Sequence, residues 1–236
     1  MDWKPLFGMP LWFWLFVVPS LLVIICFLLR RVARVLLRPV WKVLDLIYDS
    51  SGFIAALFMV SILLIIIAQM VMRWTGHIFP GATDFAGYAM AATSFFALAH
   101  ALNHGAHIRV SILLNLNDKT RIWFNVAALF IASITATYFA RFAIKTNQFS
   151  EMLNDRTQGL DQVPEQLLTL VSLLGTAPAK WSEKWAASGT EWVYTPIWLP
   201  QLAMSVGTVL LAIALWDNLI RLVVTGESAI KGEKVE

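Results

Sequence analysis

Apolar residues in this chain fall into long runs separated by short polar links. A helix that crosses a bilayer needs about 20 apolar residues, because the hydrocarbon core is roughly 30 Å thick and each residue rises about 1.5 Å. Five segments meet that length: 11–29, 53–72, 85–102, 122–140 and 197–216. None holds Asp, Glu, Lys or Arg before its edge, and Asp217 stands just past the last. Pro19 lies inside the first segment, where a missing N–H predicts a kink. Pro200 sits near the start of the fifth, a position where proline costs little.

The links carry patterns of their own. Over 32–47, Val32, Val35, Leu36, Val40, Val43, Leu44 and Ile47 recur at helical spacing with arginines between them. This predicts an amphipathic helix lying in the headgroup layer. A shorter stretch, 107–116, has a similar pattern, with Ile108, Ile112, Leu113 and Leu116 set against Arg109 and Asn115. The run 167–179 is apolar but too short to span, as interfacial or re-entrant pieces are. Trp181, Trp185, Trp192 and Trp198 follow it, interleaved with Glu183, Lys184 and Glu191. That mixture suits a membrane–water boundary or a protein contact. There is no internal repeat, so the inverted-repeat plan of many stand-alone transporters is not evident. The reading is an all-α integral membrane protein. It has a four-helix transmembrane core, an additional N-terminal transmembrane helix and amphipathic surface helices.

Composition strengthens this picture. Of 236 residues, 58% are hydrophobic and 14% charged, with a mean hydropathy of +0.68. Soluble domains run near ~45–50% apolar and ~25% charged, so this chain has too little polar surface to cover a water-soluble globule. The net charge of +3 is modest, and its positive residues flank apolar runs. That distribution argues for topology signals and against nucleic-acid binding. The first segment is preceded by Lys4 and Asp2 and followed by Arg30 and Arg31. Such flanks predict a retained helix and not a cleaved signal peptide. Arg30, Arg31, Arg34, Arg38 and Lys42 follow segment one, Arg109, Lys119 and Arg121 follow segment three, and Arg221, Lys231 and Lys234 follow segment five. If all five segments span, these groups share one side, expected to be the cytoplasm. The N-terminus is then expected outside, in the periplasm, and the C-terminus inside, with the long connection 141–196 also outside.

Candidate chemistry is sparse. A self-contained ion-coupled transporter usually carries ionisable residues within its spans, and these spans are almost bare of them. Gln69, Asn125, Gln201 and several Ser and Thr are the remaining polar groups. His100, His104 and His107 follow at spacings of four and three, on one face if the helix continues through Gly105. Histidine ligates metals and haem, which raises the alternative of a haem-binding membrane anchor of an oxidoreductase. A b-type haem needs two axial histidines on facing helices, and His77, near the other end of segment two, is a poor partner for these. No catalytic residue, bound cofactor or metal ligand set is therefore expected. The single cysteine, Cys26, cannot form an internal disulfide. Walker, GxSxG and HExxH motifs are missing, so hydrolase and ATPase readings have no residues to rest on.

The stretch 87–114 reads GYAMAATSFFALAHALNHGAHIRVSILL. It resembles the small membrane subunit, the Q subunit, of tripartite ATP-independent periplasmic (TRAP) transporters, whose second core helix ends in a Gly-His-Ile-Arg-Val-like signature. Here that signature stands as Gly105-Ala106-His107-Ile108-Arg109-Val110, with Ala106 interrupting it. Pro196-Ile197-Trp198-Leu199-Pro200 is similar to the opening of the family's last helix, and Ser205-Val206-Gly207 keeps a later glycine without its proline. The resemblance covers roughly 51–221, with 1–50 as an extra membrane helix and basic linker and 222–236 as a cytoplasmic tail. It implies an inner-membrane subunit that packs against a large permease subunit. A periplasmic binding protein would deliver an organic anion, often a carboxylate, and the sodium coupling would lie in the large subunit. The four core helices are expected to form a rigid bundle, with Ala91, Ala92, Ala97 and Ala99 allowing close approach. His107, Arg109, Trp181, Trp185, Trp192 and Trp198 are the candidate contacts to partner or lipid.

Overall fold

The structure is a computed structural model that describes residues 5–105, 118–173 and 176–226. Helices dominate it. Four are long and apolar enough to cross a membrane: α3 (Arg38–Trp74), α4 (Ala82–Asn103), α5 (Asp118–Met152) and α8 (Trp198–Thr225). The all-α membrane class read from the sequence therefore holds. A bent pair precedes them, α1 (Val18–Leu28), entered through a π-helical turn at Phe13–Val17, and α2 (Arg30–Leu36). Counted as one span, this pair makes a fifth crossing.

The bend is not where Pro19 predicts it. Pro19 occupies the first turn of α1, where a missing N–H matters least, and the wider π-type turn before it absorbs the irregularity. The chain instead turns by 109° at the break between Leu28 and Arg30. The amphipathic link 32–47 is also divided. Its first part is α2; after Leu37 the helix restarts, with Pro39 in its first turn, and runs without interruption into the span of α3. Proline favours helix starts, which explains the restart at that position. At 37 residues α3 is roughly 55 Å long, well beyond the hydrocarbon thickness, so its charged first turns project past the core. The second amphipathic stretch, 107–116, lies outside the described residues.

The long helices form a row and not a closed bundle. In space the order is α3, α4, α8, α5: α4 packs along both α3 and α8, and α5 packs on the other flank of α8. α3 meets α8 only sparsely. Lipid offers no hydrophobic drive for helices to associate, so close packing through small residues must supply it. Ala89, Ala92 and Ala99 on α4 are buried, as are Ala136, Ala140 and Ala143 on α5 and Gly207, Ala212 and Ala214 on α8. Of the four alanines singled out on α4, Ala92 and Ala99 lie in the interface and Ala91 faces outward. Being flanked on both sides, α8 is the most enclosed span. α3 is the least enclosed, with Phe53, Leu57, Met59, Leu63, Leu64 and Ile67 all exposed.

Side-chain hydrogen bonds lock the α5–α8 pair. Trp216 Nε1 donates to Thr137 Oγ1 at 2.9 Å, Asn147 Nδ2 donates to the Trp198 carbonyl at 2.7 Å, and Ser205 Oγ donates to the Ala143 carbonyl at 3.2 Å. α1 runs beside α8, and Cys26, Ala33 and Val224 make a small second core with Leu37, Trp41 and Ile220. Between α5 and α8, a two-stranded antiparallel pair joins β3 (Gln162–Pro164) to β4 (Trp192–Tyr194). Within its loop stand α6 (Glu165–Leu173) and α7 (Trp181–Ala186), both too short to span, as expected for 167–179. A second small antiparallel pair, β1 (Pro5–Leu6) with β2 (Met9–Pro10), precedes the π-helical turn.

Candidate functional site

Two polar clusters close the helix row, one at each end. At the end where α3 and α4 meet the close of α8, Arg221 is the hub. Its Nη2 lies 2.8 Å from Asp45 Oδ1 on α3 and 2.8 Å from Asp217 Oδ2, one helical turn back on α8. Tyr48 is 1% exposed and sits 3.5 Å from the same Asp217 oxygen, while the Arg221 guanidinium rests over the Trp41 ring at 5.5 Å. Nearby, Asn218 Nδ2 donates to Asn103 Oδ1 at 2.7 Å, and Arg34 donates to the Val224 carbonyl at 3.1 Å. These bonds tie α2, α3, α4 and α8 together. A buried charge is costly unless paired, and Asp217 and Arg221, 6% and 13% exposed at their side chains, satisfy each other.

At the opposite end the hub is Asp161, in the connection that follows α5. It is fully buried. Tyr88 on α4 donates to its Oδ2 at 2.6 Å, and Thr157 Oγ1 reaches both carboxylate oxygens at 2.8 Å. Thr195, after β4, donates its hydroxyl to the Asp161 carbonyl at 2.6 Å. Burial pushes the Asp161 carboxyl upward, but the donated hydrogen bonds from Tyr88 and Thr157 outweigh it and hold the group below the usual aspartate range. The α4 start has to accept this loop at close range. Gly81 takes φ 73°, and a Cβ there would meet the Asp161 Cα at 2.7 Å, so only glycine fits.

The candidate contacts sort differently. His107 and Arg109 lie outside the described residues. Trp181 and Trp185 are exposed and stand four apart on α7, with Trp181 Nε1 donating to the Thr176 carbonyl at 2.8 Å. Trp192 on β4 is exposed, while Trp198 begins α8 and is half-buried. Sequence reasoning missed both hubs. The Asp217–Arg221 spacing of four was a usable signal for a helical ion pair. Nothing local marked Asp45, Tyr48 or Asp161.

A groove of about 790 Å³ separates the N-terminal segment from α5 and α8. Trp14, Leu15, Pro19, Ile144, Phe149 and Trp216 are among its walls, Arg141 and Lys145 also face it, and no carboxylate or histidine does. It offers no acid–base pair and no nucleophile beside a base. The His100 and His104 rings stack on one helix with centroids 4.1 Å apart. They therefore stand side by side and not across a gap, so they cannot flank a haem between them. His77 follows the other end of α3. Among the described residues no facing histidine pair exists.

A row of apolar spanning helices, tied together by polar clusters at both ends, defines a polytopic membrane protein. The family model for the DctQ component of tripartite ATP-independent periplasmic transporters matches residues 62–179, which takes in the last third of α3, all of α4 and α5, and the connection through α6. The chain belongs to this family: it is a small membrane component of a TRAP transporter, a transport subunit and not an enzyme. No curated protein and no solved structure matches it.

Proposed function

We propose that this chain holds and orients a large permease subunit, which carries out sodium-coupled uptake of an organic anion of the carboxylate class. A periplasmic binding protein delivers that anion. The chain itself binds no coupling ion, and the sodium sites belong to the large subunit. The observation that carries this reading is the row. Its two carboxylate-centred clusters stand at the two ends, and α3 offers an almost bare apolar flank. A flank of that kind suits a second membrane protein, against which a transport domain could slide while the row stays fixed.

The chain sits in the bacterial inner membrane with its N-terminus periplasmic and its C-terminus cytoplasmic. Arg34, Arg38 and Arg221 cluster at one end of the row, and an excess of arginine marks the cytoplasmic side. The connection with Trp181, Trp185 and Trp192 then faces the periplasm, within reach of the binding protein. His107 and Arg109 anchor the cytoplasmic edge to a partner acid or a lipid phosphate.

The test is co-expression with a many-helix permease from the same genome. Co-purification in gentle detergent should recover a stable pair. Proteoliposomes holding the pair should take up a carboxylate only with the binding protein and an inward sodium gradient. Failure of the pair to form, or uptake indifferent to this chain, would reject the scaffold reading. Arg109→Glu should weaken assembly or uptake; a normal variant would remove the anchoring role.

A further inference from the structure

We infer that Asp49, His100 and His104 form a binding site for a divalent transition-metal ion of the zinc type, clamping α3 to α4 at the arginine-rich end. His100 stands in the last turn of α4 and His104 caps its end four residues on, the i, i+4 spacing by which helical histidines share an ion. Asp49 projects from α3 toward them. One ligand atom from each of the three lies within 4.8 Å of the others.

The contact between His100 and Asp49 has the length of a coordination edge and not that of an ordinary hydrogen bond. His100 Nδ1 is 3.4 Å from Asp49 Oδ1 and has no hydrogen-bond partner in an aligned geometry. An N–H···O bond is usually near ~2.9–3.0 Å. Ligands held at ~2.0–2.1 Å around a tetrahedral zinc stand about 3.4 Å apart along each edge.

The surroundings also prepare the ligands. His104 Nδ1 lies 3.0 Å from the His100 carbonyl oxygen. Only an N–H can bond a carbonyl, so this contact places the proton on Nδ1 and leaves Nε2 with a free lone pair. Metal-binding histidines are oriented in this way by a backbone acceptor on the second nitrogen. Gly52, one turn after Asp49, supplies the space. A Cβ there would lie 2.5 Å from the His100 ring, so glycine lets the imidazole settle against α3. Asp49 and His104 are exposed, so an ion can enter from water, and a water molecule can complete a fourth position. Two neutral imidazoles and one carboxylate suit a borderline cation such as zinc better than calcium or magnesium, which prefer oxygen. The inference does not depend on the transport reading.

The test uses the full chain in detergent with any affinity tag removed. Co²⁺ is titrated and followed by its visible ligand-field absorption, then displaced with Zn²⁺, and Zn²⁺ binding is measured by calorimetry. One ion per chain is expected, with a Kd at or below about 1 µM. Asp49→Asn and His104→Gln change exposed side chains, so both should fold. Each should weaken binding by about 10-fold or more, and the pair should abolish it. His77→Gln should bind as the parent does. No saturable binding overturns the proposal. So does binding that survives the Asp49 and His104 changes, or that falls equally in the His77 control.

Discussion

The backbone of Phe95 passes so close to Gly207 that a Cβ added at position 207 would meet the Phe95 carbonyl oxygen at 2.5 Å. α4 and α8 are in close backbone contact there, and α8 in turn carries α5. Gly207→Ala must therefore push two backbones apart. An overpacking penalty of about 1–3 kcal/mol is expected. The melting temperature of the purified chain should fall, and Gly207→Leu should fall further. An alanine variant as stable as the parent would show that α4 and α8 yield there freely.

Arg221 makes a different kind of bond between helices. Removing it strands Asp217, whose side chain is 6% exposed, without its cation. Breaking one partner of such a buried pair typically costs about 3–5 kcal/mol, whereas replacing the pair by apolar residues of similar size is often neutral. Arg221→Met alone should sharply lower thermal stability, and Arg221→Met with Asp217→Leu should recover most of the loss. Thermal unfolding followed by tryptophan fluorescence would separate the two. An equally unstable double variant would mean that the hub's hydrogen bonds to Asp45 and Trp41 matter more than its charge balance.

The sequence carried the count and approximate place of the long helices because lipid imposes a length that hydropathy reports directly. It did not carry their neighbours. Nothing in the runs says that α4 and not α5 lies beside α3, since that choice rests on where Ala92, Ala99 and Gly207 meet other backbones. The N-terminal extension of α3 was hidden by its own charges. The arginines between its apolar residues made 32–47 look like a surface link, while Asp45 within it and Asp49 just past it face α8 and α4. Asp45 and Arg221 are 176 positions apart. Asp161 is a single acid in a polar connection, and only the fold brings Tyr88 to it from 73 positions away.

Asp161 should make the connection sensitive to acid. Its carboxyl is held below the ordinary aspartate range, so the ionised form binds better in the folded chain than in the unfolded one. The stabilisation is complete above the ordinary aspartate value and is lost as pH falls from there through the lowered folded value. Hydrogen exchange at 155–164 should be slow near neutral pH and accelerate, relative to the intrinsic rate, in that acid window. Asp161→Asn should be faster at neutral pH and flat across the window. Each lost hydrogen bond to the charged group contributes about 1.5–3 kcal/mol. Retention of the acid step in the Asn variant would show that the Asp161 carboxylate does not carry it.

Cys26 offers a direct reading of how firmly the N-terminal helix is docked. It is the chain's single cysteine, so a thiol reagent reports on one place. It packs with Ala33 and Val224, and its side chain is enclosed by the α1–α2 bend and the end of α8. A membrane-permeant maleimide should therefore label the native chain slowly, through transient opening of that contact. Ala33→Leu adds bulk where Ala33 is 8% exposed. An overpacking penalty of about 1–3 kcal/mol would raise the open population roughly 5- to 150-fold, and labelling should accelerate in proportion. The four-helix row should stay folded, because Ala33 lies outside the α4–α8–α5 interfaces. The thermal midpoint should therefore change less than the labelling rate. Fast labelling already in the parent chain would mean that α1 leaves α8 readily, and that the N-terminal helix is free to engage another surface.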